Sequence, residues 1–102
     1  MPFVRAAKTE DVPQGKIYEF QVGGQAVAIA NVEGKLFAIN SVCPHQGGPL
    51  GEGELEGKIV TCPWHAWQCD VTTGKVVDNP GADVKIYPLE VRGPEIFIDI
   101  DS

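Results

Sequence analysis

Helix signals are almost missing from this chain, and so are long apolar runs, clustered basic residues and the cysteine count of a disulfide framework. The longest apolar run, Ala26-Val27-Ala28-Ile29-Ala30, has the length of a strand and falls well short of the roughly 20 residues that cross a bilayer as a helix. The start, Met1-Pro2-Phe3-Val4-Arg5, leads into no apolar stretch of the kind a secretory signal needs, so the expected location is cytoplasmic. Eight Lys and Arg stand against fourteen Asp and Glu, a net charge of −6. No basic run exists, which argues against nucleic acid, because phosphate binding needs clustered cations. Three cysteines in a chain read as cytoplasmic point to metal or redox chemistry rather than to disulfides. Only two histidines occur, and both lie close to cysteines.

A length of 102 residues is enough for one domain, expected to span 1–102. Twelve glycines and eight prolines are dispersed along it, which suits a β protein with many turns. Period-two alternation predicts a strand over Lys16–Val22. Gly23-Gly24 is a tight turn, Gln25–Val32 the return strand, Glu33-Gly34 the next turn and Lys35–Asn40 a third strand, giving a β-meander. Two more strands are predicted at Val84–Val91 and Glu95–Ile100, linked by Arg92-Gly93-Pro94. Between these outer parts, residues from Ser41 to about Asn79 hold both histidines, all three cysteines and both tryptophans. This stretch reads as a small subdomain, about 41–79, inserted into a β scaffold, with short strands at Lys58–Thr61 and Trp67–Val71. The only helix candidate is a turn near Thr9–Val12.

The chemistry is concentrated in two segments, Cys43-Pro44-His45-Gln46-Gly47-Gly48 and Cys62-Pro63-Trp64-His65-Ala66-Trp67. The pattern is C-x-H, then sixteen residues, then C-x-x-H. Each half supplies one thiolate and one imidazole. Pro44 and Pro63 pre-set the backbone of each turn, and Gly47 and Gly48 let the chain approach the site closely. Zinc also accepts two Cys and two His, but structural zinc sites usually take a cysteine pair from one turn and a histidine pair from another. Mixed pairs are what a binuclear cluster needs if one iron takes both thiolates and the other both imidazoles. Both metals remain open on spacing alone.

These two motifs resemble those of Rieske proteins. The length and the flanking strands look like the Rieske-type ferredoxins of bacterial aromatic-ring-hydroxylating dioxygenase systems. Asp70-Val71-Thr72-Thr73-Gly74-Lys75 is similar to that family's turn after the second motif, Asn79-Pro80-Gly81 to its proline loop, and Val84–Leu89 to its returning strand. The resemblance implies an all-β, antiparallel sandwich or barrel with an inserted cluster-binding subdomain. It implies one [2Fe-2S] cluster, with Cys43 and Cys62 on the inner iron and His45 and His65 on the outer iron near the tip. Respiratory relatives carry an extra cysteine in each motif where this chain has Gly48 and Trp64, and hydroxyl donors where it has Trp67 and Cys69. Fewer hydrogen bonds to sulfur should lower the potential, toward about −150 mV.

Cys69 has no spaced partner and is expected to be a small buried residue. Trp64 and Trp67, which flank His65, are expected to pack and shield the cluster, and Trp64 is a candidate for a docking surface. The acidic stretch Glu52-Gly53-Glu54-Leu55-Glu56 reads as a solvated loop, with steering of basic partners as the sharper alternative. No Ser-His-Asp set is available and no Gly-rich phosphate loop is present. A chain this short has no room for the mononuclear iron domain of an oxygenase. The implied function is therefore one-electron transfer by a monomer, from a flavin-dependent ferredoxin reductase to a terminal oxygenase. Two alternatives stay open: a small Rieske component of a nitrite reductase, and a zinc-stabilised interaction module without redox activity.

Overall fold

The structure, a computed structural model, describes residues 3–42, 48–64, 66–77 and 83–100. Among the described residues ten strands follow in order: β1 (Phe3–Lys8), β2 (Ile17–Val22), β3 (Gln25–Val32), β4 (Lys35–Asn40), β5 (Glu54–Glu56), β6 (Ile59–Thr61), β7 (Gln68–Asp70), β8 (Ile86–Tyr87), β9 (Leu89–Arg92) and β10 (Glu95–Asp99). Single 3-10 turns occupy Thr9–Asp11 and Leu50–Glu52. The strands form three sheets, ordered β1-β10-β9, β2-β3-β4-β8 and β5-β6-β7, and every ladder is antiparallel. Among the described residues no helix is long and apolar enough to cross a membrane.

The meander is centred on β3, whose apolar run marks a strand buried on both faces. Val27, Ala28, Ile29 and Ala30 are fully buried, and period-two geometry divides them between two cores. Val27 and Ile29 pack with Val22, Ala38, Tyr87, Ile96 and Ile98, joining the meander to the β1-β10-β9 sheet. Ala28 and Ala30 face Ile39, Leu50, Val60, Cys62 and Val71, joining it to the β5-β6-β7 sheet. The four-stranded sheet is thus the middle layer, and its alanine face carries the subdomain with the second motif.

β3 and β4 coincide with the expected strands, and β2 starts one residue later than expected. The segment expected as one strand over Val84–Val91 is instead two, interrupted at Pro88. β8 pairs with β4 while β9 pairs with β10, so the chain changes sheets at a residue that has no N–H to donate. The helix candidate near Thr9 is the first 3-10 turn. The acidic stretch corrects the expectation of a solvated loop. Glu52 ends a 3-10 turn, and Glu54–Glu56 form edge strand β5, with Leu55 packed toward the core and both glutamates exposed. β1 was not expected from sequence, because Phe3–Lys8 lacks clear alternation and its partner is β10 at the far end of the chain.

Candidate metal centre

The second motif lies in the connection between β6 and β7. Thr61 pairs with Gln68 at the mouth of this hairpin, and the Cys62 N–H donates to the Trp67 carbonyl at 2.7 Å. Ala66 adopts a φ of 59°, a left-handed conformation that side chains seldom take and that tightens the reversal. Cys62 is 1 % exposed, packed in the core beside Leu50, Val60, Cys69 and Val71. Its sulfur accepts the backbone N–H of Trp64 at 3.4 Å. That bond aims the positive end of an N–H dipole at the sulfur.

The first motif leaves β4 through Ser41 and Val42. Its path returns at Gly48 and Pro49, where Val42 and Pro49 form an isolated antiparallel bridge. Gly48 is buried against the second motif. A Cβ on it would lie 2.8 Å from the Cys62 sulfur and 2.9 Å from Trp64 Cγ. Only a residue without a side chain fits here against Cys62 and Trp64, as expected of a glycine that admits close approach. Trp64 presses its stem on Gly48 yet is 50 % exposed, so it serves as both packing and surface. Trp67 is partly buried and packs against the same core. Cys69 is buried, 2 % exposed, which agrees with its reading as a small core residue.

Of the four expected ligands, only Cys62 is among the described residues. Cys43, His45 and His65 lie outside them, as do Gly47 and the Asn79-Pro80-Gly81 segment. Among the described residues, accordingly, no three metal-ligating side chains gather. The structure does bring Gly48, at the end of the first motif, against Cys62 of the second. A buried sulfur with an amide N–H aimed at it, and a glycine cradle that a methyl group would fill, fit a thiolate-bound iron–sulfur group.

The turn after the second motif is self-bracing. The Asp70 carboxylate accepts the Thr72 N–H at 2.8 Å and its hydroxyl at 2.6 Å, the Gly74 N–H donates to the Asp70 carbonyl at 2.7 Å, and Lys58 Nζ stands 3.4 Å from the carboxylate. Burial pushes the Asp70 carboxyl up, but the Thr72 hydroxyl and N–H together with the Lys58 ammonium hold it below its ordinary value. Sequence reasoning did not single out Ser41, a fully buried polar residue at the root of the first motif. A single serine at a strand end carries no signal by itself.

Comparison with known proteins bears on the same residues. The sequence model of the Rieske [2Fe-2S] domain matches residues 3–88. The ferredoxin component of the naphthalene 1,2-dioxygenase/salicylate 5-hydroxylase systems of a Ralstonia species is 31 % identical over 100 residues, covering 97 % of this chain and 96 % of the relative. The biphenyl dioxygenase ferredoxin subunit of Pseudomonas sp. strain KKS102 is 36 % identical over 101 residues, covering 97 % and 93 %. Among solved structures, a chain in the complex of reduced oxygenase and oxidized ferredoxin in carbazole 1,9a-dioxygenase superposes with a TM-score of 0.85 at 25 % identity, covering 96 % of this chain and 93 % of that one.

Proposed function

This chain belongs to the Rieske [2Fe-2S] domain family, and on that premise we propose that it is the ferredoxin of a ring-hydroxylating dioxygenase system, carrying single electrons from a flavin-dependent reductase to a terminal oxygenase. The observation that carries this reading is the near full-length match to separate ferredoxin components, in a chain whose described ligand, Cys62, is buried and amide-bonded at sulfur. In this reading Cys43 and Cys62 hold the inner iron, His45 and His65 the outer one, and one cluster is bound per chain. The whole of 1–102 acts as one domain, a cytoplasmic monomer.

When bound, the cluster supplies a site that takes up and releases one electron. The protein's own residues set the conditions for that. The Trp64 N–H on the Cys62 sulfur favours the more negative state. Gly48 closes the gap between the ligand turns, keeping water from the sulfur. Val42 and Trp64, both about half exposed, give the motif end of the molecule an apolar rim. Glu52 and Glu54 lie exposed beside it, lining the same depression as Cys62 and Pro63, and with a net charge of −6 they favour fast, salt-sensitive encounters with basic patches on partner proteins.

The test is a reconstituted three-component assay. The native protein, brown when oxidised and EPR-active after dithionite, should support oxygenase turnover, and Cys62→Ser should abolish both the reduced-state signal and turnover. Undiminished turnover with Cys62→Ser would end the proposal, and a colourless native protein that retains zinc would replace it with an interaction module.

A further inference from the structure

Ser41 stands at the point where the first motif's loop leaves the scaffold. It is completely buried and makes four hydrogen bonds. Its N–H donates to the Ala26 carbonyl on β3 at 3.0 Å, and its carbonyl accepts the Leu50 N–H at 2.6 Å. Its hydroxyl donates to Glu19 Oε1 on β2 at 2.6 Å and accepts the Gly51 N–H at 3.1 Å. Next to it, the Val42 N–H donates to Asn40 Oδ1 at 2.8 Å, and Val42 bridges to Pro49. Both ends of the loop are therefore fastened to one residue, and that residue is fastened to β2 by a carboxylate.

The opposite side of this junction has no slack. A Cβ on Gly51 would lie 2.6–2.7 Å from Glu19 Cβ, Cα and N, so the returning end of the loop rests directly on the β2 backbone at the residue that holds Ser41. The bond from the Ser41 hydroxyl to Glu19 ties the root of the loop to β2. Losing it here would leave a buried hydroxyl without its acceptor, or a buried Gly51 N–H without its own.

We propose that Glu19 and Ser41 are positioning residues that fix the loop carrying Cys43 and His45, acting on ligand geometry from β2 without touching the metal. The proposal rests on the cluster reading above. Its distinctive feature is that a strand outside both motifs controls how firmly the first ligand turn is held.

The experiment uses the full-length, cluster-loaded protein. Release of iron to a chelator is followed by loss of visible absorption, the EPR spectrum of the reduced protein is recorded, and urea unfolding is followed by far-ultraviolet circular dichroism. Glu19→Ala and Ser41→Ala should release iron roughly tenfold faster, the scale expected when a buried donor loses its partner, with shifted EPR g-values. Glu19→Gln keeps an acceptor oxygen and should return the release rate to within about twofold of the native protein. If Ser41→Ala does not fold, the Glu19 pair decides. Native release rates and g-values in Glu19→Ala would overturn the proposal. So would faster release in both Glu19 variants with no rescue by Gln, or a lowered urea midpoint with an unchanged EPR spectrum. A native protein that binds no iron would instead overturn the cluster reading.

Discussion

The middle sheet and the motif-bearing sheet are both antiparallel, yet different forces hold them. The meander strands β2, β3 and β4 run for 6, 8 and 6 residues, and β3 is buried on both faces. Its ladders are long enough to define their own register through the side chains they bury. Strands β5, β6 and β7 have three residues each. Of their side chains only Val60 and Cys69 are buried, and the remaining order comes from close contacts: the Cys62–Trp67 and Asp70–Gly74 bonds, and glycines with no room for a methyl group. Hydrophobic area stabilises the first region. The second is stabilised by turns and, in the proposed state, by metal–ligand bonds, which couple binding to folding.

The largest effect that could break this contrast is removal of the metal. Stripping iron with a chelator should lower amide-exchange protection in β6 and β7 by roughly a hundredfold while β3 keeps most of its protection. Equal loss in both regions, read by hydrogen-exchange mass spectrometry, would mean that the two sheets are one cooperative unit.

A crossed pair of substitutions sharpens it. Ile29→Ala empties a fully buried position in the middle sheet and should cost about 2–5 kcal/mol in urea unfolding. Gly48→Ala places a methyl group against the Cys62 sulfur and Trp64, and should cost about 1–3 kcal/mol, spent on cluster retention rather than on scaffold unfolding. A Gly48→Ala protein that loads a full complement of iron would show that the cradle is not needed.

The smallest effect concerns Asp70. Its carboxyl is held below its ordinary value of 3.8 in the folded protein. The stabilisation is present above that ordinary value and fades as pH falls through the folded value, when the carboxylate becomes protonated. Stability should therefore decline on acidification below about pH 4, and Asp70→Asn should flatten that part of the curve. An unchanged acid limb in Asp70→Asn would assign the decline to other carboxylates.

Much of the scaffold could be read from alternation alone. Gln25–Val32 and Lys35–Asn40 match β3 and β4 because turn glycines bound them and apolar residues recur at period two. The two motifs, too, were plain, since two thiols and two imidazoles at that spacing suit little besides a metal. β1 was hidden because its alternation is weak and its partner lies at the other end of the chain. β5 was hidden because its two exposed glutamates conceal one inward leucine, Leu55. Ser41 and Glu19 could not be found in sequence at all. Their link joins residues 22 apart and runs from β2 to the end of β4 past the intervening strand β3, a proximity only the folded sheet creates.

The pairing of β1 with β10 has a consequence for the order in which the molecule assembles. Phe3 lies opposite Asp99, and Arg5 Nε meets Glu95 Oε2 at 2.6 Å. The meander closes through two tight turns as soon as β4 has emerged, because its partners are neighbours in sequence. β1 must wait on the ribosome for a partner synthesised more than eighty residues later, with its hydrogen-bonding edge open meanwhile. Such distant contacts slow folding. Conditions that prolong that wait, such as slow translation of the last strand, should raise aggregation of the nascent chain more than they disturb the finished protein.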